Sequence, residues 1–438
     1  RLPPERRNDA RGVQLELARA RGDWIAGDYD AGVVRAEAAL AAATAIEWQA
    51  GVASAHLSLG LLQGGAGRFP EAEASLRRGI VAARAARASP LLAELHAELV
   101  FVVGYRLGRP AEGELWAQTA LDLFALDDSL SPLIRADLDN NLAIILIGQG
   151  RLEEASELLA SALAVRERVY GHEHPTVSAT LSNLAALARR SDDRARARDL
   201  YEQAIAVTRS ALGDDHPDLA HDLSNLAACH RDDGDLRAAL DLYDRASTIY
   251  RAAFGDQHPD VARISHEVAL IRLSEGDLAA ALAGFERAHA VRERTLGPEE
   301  PATAASLAGL ADTLRALGRA DEAETLYLRS LAILERAKGR RHAETARSLH
   351  GLGVLRHRQG RYPEALALLE EALAVRSGGV PKAHAETAIA LADVLWDAGT
   401  DRARARALVE SARDLLVGVP TAEGRLDPAS AWLTAHPP

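Results

Sequence analysis

The chain is short of most of the residues that staple, anchor or react. Of its 438 residues one is cysteine and none is methionine. Cys229 alone closes no intramolecular disulfide, so a reducing compartment, the cytoplasm, is the default reading. Phe, Trp and Tyr together make up only 4% of the chain. The core must therefore be built from smaller side chains, which suits closely packed helices better than thick sheet layers. Lysine occurs only at Lys338 and Lys382, leaving 49 of the 51 basic residues as Arg. With so much Ala and Gly, that bias reads as GC-rich codon usage rather than a specific role for Arg. Acidic side chains outnumber basic ones, 63 to 51, for a net charge of −12. This argues against a nucleic-acid binder, which needs a basic footprint for phosphate. No apolar run approaches the roughly 18–20 residues of a membrane helix; the stretch 142–147 is about as far as one goes. A first residue Arg1 with no Met anywhere reads as a segment of a longer polypeptide.

What is present is 48% hydrophobic residues, enough to exclude wholesale disorder, and a repeat. Length alone suggests about three domains at roughly 150 residues each, but the loop Gly213-Asp214-Asp215-His216-Pro217 returns as Gly255-Asp256-Gln257-His258-Pro259. Stepping by 42 residues, its Gly falls at Gly171, Gly213, Gly255, Gly297 and Gly339. Its His falls at His174, His216, His258, His342 and His384, with Glu300 as the exception. A second loop carries Gly150, Gly234, Gly276, Gly318 and Gly360, with Asp192 replacing Gly once. Five residues after it runs an Ala series: Ala155, Ala197, Ala239, Ala281, Ala323, Ala365 and Ala407. So regular a register makes internal repetition the first fact about the fold.

Each period holds two helical stretches. Leu181, Leu184, Ala185 and Ala188 form an i, i+3, i+4, i+7 stripe, and Ala197, Leu200, Tyr201 and Ala204 repeat that spacing. The Gly between them allows the positive φ at which the first helix stops. Pro175, Pro217, Pro259 and Pro301 open the first helix of each pair, where a missing N–H costs nothing. Backwards, the turn continues at Gly108, Gly67 and Gly27, which gives ten helix pairs, the terminal ones degenerate. No strand-like alternation appears, so the class is all-α: a right-handed superhelical solenoid of about ten antiparallel helix pairs.

Leu223, Leu226 and Ala227, then Gly234, then Ala239, Tyr243 and Ala246 resemble the tetratricopeptide repeat position by position. The 42-residue period with its Gly-Asp-x-His-Pro loop looks like the kinesin-light-chain-like subtype. The resemblance divides the chain into a linker at 1–9, degenerate repeats at 10–130, regular repeats at 131–417 and a Pro-rich tail at 418–438. The stretch 100–107 departs from the pattern. It looks like the region joining irregular and regular repeats in bacterial serine/threonine protein kinases with C-terminal arrays of this kind. That resemblance implies a second reading, in which the segment is the regulatory or substrate-recruiting arm of a kinase whose catalytic domain is not in this chain.

Catalytic motifs are missing from the sequence: no nucleophile elbow, phosphate loop, dinucleotide fingerprint, zincin motif or kinase signature. No enzyme activity, cofactor or metal is expected of the segment. The periodic His residues lie too far apart to share one ion at about 2 Å, since each repeat adds two helices spaced by roughly 8–10 Å; they read as caps of the following helix. Cys229 reads as a small buried thiol.

Function then falls to the exposed face of the first helices. Positions two, six, nine and thirteen of each repeat share that face, opposite Leu181, Leu184 and Ala185. The sixth position reads Asn141, Asn183, Asn225, Glu267, Gly309, Gly351 and Asp393. The resemblance implies that the matching Asn lines a peptide groove, where an amide can both donate to and accept from an extended backbone. Asn141, Asn183, Asn225 and Glu267, with Arg190, His221, Arg263, Arg347 and Arg358, form the candidate peptide groove. Arg347, Arg358 and nearby Lys382 tilt its C-terminal part towards acidic peptides. The expected function is a non-catalytic scaffold that binds a protein or peptide partner, with no nucleic acid, no membrane span and a monomer favoured.

Overall fold

A computed structural model describes residues 6–377, 381–416 and 428–437. Among them every regular element is helical. The helices form antiparallel pairs: α1 (Arg7–Ile25) with α2 (Tyr29–Ala45), α3 (Gln49–Gly65) with α4 (Phe69–Ala86), and α5 (Ser89–Leu99) with α6 (Pro110–Leu126). α5 runs on as a π-helical stretch, Val100–Arg106. Next come α7 (Pro132–Gln149) with α8 (Leu152–Tyr170), α9 (Pro175–Arg190) with α10 (Arg194–Leu212), and α11 (Pro217–Asp232) with α12 (Leu236–Phe254). α13 (Pro259–Glu275) with α14 (Leu278–Thr295), α15 (Pro301–Ala316) with α16 (Ala320–Lys338), α17 (Ala343–Arg358) with α18 (Tyr362–Arg376), and α19 (Pro381–Asp397) with α20 (Arg402–Leu416) complete the ten described pairs. A last helix, α21 (Pro428–Ala435), follows. The chain divides into two compact units, residues 1–261 and 262–438.

Residues 1–5 of the expected linker lie outside the described residues, and Arg7 already opens α1. In the expected tail, 417–427 and 438 lie outside the described residues. Its remainder is helical, with Trp432 buried in the core cluster of α18, α19 and α20.

Two kinds of cap alternate along the chain. His174, His216, His258 and His342 each accept, through Nδ1, the backbone N–H two residues on, at 3.1–3.2 Å. Glu300, the exception in the series, makes no side-chain cap bond. His384 falls inside α19 and is no cap. Asp193, Asp235 and Asp277 cap the second helices, each accepting from the N–H three residues on. Gly150, Gly234, Gly276, Gly318 and Gly360 all have φ between +73° and +85°, and Asp192, their one replacement, holds φ at +60°. The turn geometry therefore survives the loss of Gly because Asp tolerates this region better than most residues.

The Ala series is buried from Ala155 to Ala365, but its last member moves. Ala407 is exposed and Ala405 takes the buried place, because the last pair slips off the 42-residue grid. Tyr201, Tyr243, Phe285 and Tyr327 are the large fully buried side chains of the second helices. A Cβ at Gly309 or Gly351 would fall within 2.7 Å of the Phe285 or Tyr327 ring. The sixth position is thus glycine there to seat the preceding repeat's aromatic ring. Cys229 is buried, and burial pushes its thiol up to about 11.

Arginine has structural tasks that composition did not reveal. Arg166, Arg292 and Arg376 each reach from a second helix into the next first helix. There they donate to a backbone carbonyl (Thr176, Ala302, Ala383) and to the hydroxyl four residues further on (Thr180, Ser306, Thr387). On the surface, Arg151 binds Glu154 with two nitrogens and Glu114 of the preceding pair with a third. A planar fork with several donors makes such double contacts and an ammonium does not.

Candidate functional site

First helices of successive pairs touch: α1–α3, α3–α5, α5–α7, α7–α9 and α9–α11 in the first unit, α15–α17 and α17–α19 in the second. Second helices of successive pairs make no comparable contact among the described residues. Each array therefore curves with its first helices inside, and the candidate residues all lie on first helices: α7, α9, α11, α13 and α17.

The sixth-position Asn residues do not simply project into solvent. Asn141 Nδ2 donates to the Ala97 carbonyl at 3.0 Å, and Asn183 Nδ2 donates to Asn140 Oδ1 at 2.9 Å. Both amides turn back onto the preceding first helix and lie half-buried. Asn225 sits 3.4 Å from the His221 ring, and the His221 side chain keeps 40% of its surface exposed. These two form a half-buried polar pair one helical turn apart on α11. Arg190 is exposed, while Arg263 and Glu267 are half-buried on α13.

In the second unit the basic lean is partly cancelled. Arg347 pairs with Asp312 at 3.0 Å, and Tyr327 donates its hydroxyl to the same carboxylate at 2.5 Å. Arg358 stays exposed. Further along, α21 packs against the last pair. Trp432 Nε1 donates to Asp393 at 2.6 Å, and its ring meets Trp396 edge-on at 5.5 Å. Burial raises the Asp393 carboxyl above its usual range, and the Trp432 hydrogen bond acts against that rise. The sixth and ninth positions of the last repeat are thereby taken by the chain's own tail. Only the placement of α21 reveals this, since nothing in repeat periodicity announces a helix beyond the last repeat.

An acidic group that sequence reasoning missed lies on α5 and α7. Burial first, then Asp137 and Glu94, push the Glu98 carboxyl up to about 8, and burial likewise raises Glu94. Spacing could have flagged Glu94 and Glu98 as an i, i+4 pair, but not the approach of Asp137 from the next pair. The unfolded carboxyl ionises near its ordinary value of 4.5 and the folded one near 8. Between those values the unfolded chain holds fewer protons, so stability falls as pH rises through that window. Glu98→Gln removes this slope. Urea midpoints at pH 5 and pH 8.5 should show the variant gaining on the parent at the higher pH, and parallel pH profiles would count against this.

No helix among the described residues is long and apolar enough to cross a membrane. No group of three or more His, Cys, Asp or Glu among them could hold a metal ion.

The tetratricopeptide repeat family model matches residues 134–210, 179–252, 223–282, 260–336 and 309–378, together more than half of the chain. A second model of the same repeat matches residues 53–78. No curated protein matches the sequence. Among solved structures, a Podosopora anserina protein of nearly identical TPR-like repeats, described as a kinesin light chain, is 26% identical. That match covers 48% of this chain and 98% of that one, with a TM-score of 0.38. A Rap protein complexed with Competence and Sporulation Factor is 12% identical over 84% of this chain and 99% of that one, with a TM-score of 0.61. A Pyrococcus horikoshii signal transduction ATPase with a tetratricopeptide repeat sensor is 14% identical over 87% of this chain and 53% of that one, with a TM-score of 0.52. At such identities the last two likenesses speak for the fold alone.

Proposed function

The chain belongs to the tetratricopeptide repeat family, and from that premise we propose that it is a non-catalytic scaffold whose inner face grips a peptide or partner surface. The observation that carries this reading is the division of labour between the two helix faces. Outward arginines are tied to carboxylates within and between pairs, as Arg151 is to Glu154 and Glu114. The first helices present polar side chains of mixed type, such as His221, Asn225 and Arg190, with Arg347 alone of the candidate arginines described above as tied to a carboxylate. A surface of varied, partly exposed donors and acceptors suits recognition of an extended chain, whose backbone offers both. The fold shared with the Rap protein complexed with Competence and Sporulation Factor is compatible with holding a partner.

The test starts from partners captured by the parent protein and identified by mass spectrometry. For the partner retained most strongly, His221→Ala with Asn225→Ala reports on the first unit and Arg358→Glu on the second. Loss of one such pair from a binding face is expected to weaken affinity at least about tenfold, on the order of 1.4 kcal/mol. Affinity unchanged in both variants, with helix content intact, would remove the inner face from the mechanism.

A further inference from the structure

We infer that the first unit is closed by a releasable clasp, which joins its first two helix pairs to the loops opening α11 and α13 and gates access to its inner face. The gating part rests on the reading of that face as the binding surface; the clasp itself does not.

In an array of stacked pairs each repeat needs only its neighbours. Here two contacts join residues 191 and 193 positions apart. His216 Nε2 lies 2.9 Å from the Ile25 carbonyl, and His258 Nε2 lies 3.3 Å from the Gly65 carbonyl. Both carbonyls belong to the last residue of a helix, α1 and α3, where no intrahelical donor remains. Both rings already accept a backbone N–H at Nδ1, from Asp218 and Asp260. The neutral imidazole therefore carries its proton on Nε2 and donates it to the carbonyl. One tautomer does two jobs, capping its own helix and holding a distant one.

The turns are cut to receive these loops. Gly27 and Gly67 have φ of +76° and +74°, and their missing Cβ atoms would stand 3.2 Å and 2.7 Å from the rings of Pro217 and Pro259. At the equivalent Gly108, Gly150 and Gly234 a Cβ would meet nothing within 4 Å. Glycine serves φ at all five turns, but only at these two does it also make room for a partner loop. Arg106 adds an ion pair to Asp260 at 3.1 Å while lying over the Phe69 ring, and Tyr29 stacks on Phe254 at 5.3 Å.

The clasp consists of two hydrogen bonds, one ion pair and a stacked pair of rings, and the His216 side chain in it is 9% exposed. The interfaces between successive pairs, by contrast, are continuous and apolar. The clasp can therefore open while the repeats stay folded. Open, it exposes the inner face to a partner from the side; closed, it admits only a chain that threads the ring.

The test replaces both rings with a shorter cap. Asn is among the preferred N-cap residues, yet it cannot span from the cap to the distant carbonyl, so His216→Asn with His258→Asn keeps the caps and removes the clasp. Spin labels at Ala18→Cys on α1 and Ser210→Cys on α10, in a Cys229→Ala background, report the distance by double electron–electron resonance. The parent is expected to give one narrow distribution, and the double variant one that is broader and longer by several ångströms. Arg106→Gln, which leaves both His side chains in place, should move the distribution in the same direction. His174→Asn with His342→Asn, caps of the same kind without a distant carbonyl, should leave it where it was. Distributions superimposable on the parent's in both clasp variants overturn the clasp, and no ligand is needed to see it. An opened ensemble that binds the captured partner no more tightly than the parent overturns the gate alone; several-fold tighter binding supports it.

Discussion

Gly113→Ala lowers the thermal midpoint of the protein by several degrees, although it adds a single methyl group to a helix. A Cβ at Gly113 would stand 2.6 Å from the Gly104 Cα and 2.7 Å from Ile145 Cδ1. The Ile145 side chain could turn away, but the Gly104 backbone cannot. Gly104 lies in the π-helical stretch that follows α5, and a Cβ there would in turn stand 3.1 Å from the Gly113 Cα. The two glycines let α6 and the π-helical stretch touch backbone to backbone, so the methyl must push the helices apart. Overpacking of a tight site costs about 1–3 kcal/mol, and a backbone contact places this case towards the upper end. The control is Gly148→Ala in α7, where a Cβ meets nothing within 4 Å. There the loss of chain freedom in the unfolded state should stabilise by about 0.5–1 kcal/mol. Opposite signs for one chemical change, read from urea titrations, would establish close approach as the cause, and equal signs would refute it.

Asp222→Ala costs about 3 kcal/mol, a loss of hydrogen bonds to a buried charge. The Asp222 carboxylate is 4% exposed. It accepts from Ser182 Oγ at 2.5 Å, Thr208 Oγ1 at 2.8 Å and Ser178 Oγ at 3.3 Å. One side chain of α11 thus gathers hydroxyls from α9 and α10 and fixes the spacing of three helices. In the Ala variant Ser178 keeps the Ala204 carbonyl and its bond to Thr208, whereas Ser182 loses the shortest of the three bonds. Asp222→Asn should cost less, because its carbonyl still accepts and a hydroxyl can rotate to meet its NH2. The order parent, Asn, Ala in urea midpoint is the expected result, and an Ala variant as stable as the parent would exclude the network as a source of stability. The same carboxylate lies 3.7 Å from the His221 ring, so it also steadies one residue of the candidate face.

Sequence reading reached the repeat because its signals are local. The φ of Gly150, the cap at His216 and the methyl at Ala239 each depend on a few residues of one pair, and a period of 42 restates them until the register is unmistakable. It missed Asp222 and Arg292, whose partners come from other helices. It also gave the sixth-position Asn a solvent-facing place, since helical spacing fixes the side of a helix but not which neighbour a side chain turns to. Asn141 and Asn183 turn to the preceding first helix, and Asp393 is met by Trp432.

The amino-acid sequence by itself determined the all-α class, the ten pairs, their caps and the Ala-lined contacts between them, because short-range sterics and hydrogen bonding suffice for those. Only the tertiary structure decided which inner-face residues are presented, that residues 428–435 fold back over the last repeat, and that His216 and His258 reach carbonyls some 190 residues away. Such pairings arise where the accumulated curvature of several repeats brings distant turns together. No periodic pattern records that, since the loop of His174 carries the same capping residue as the loops of His216 and His258.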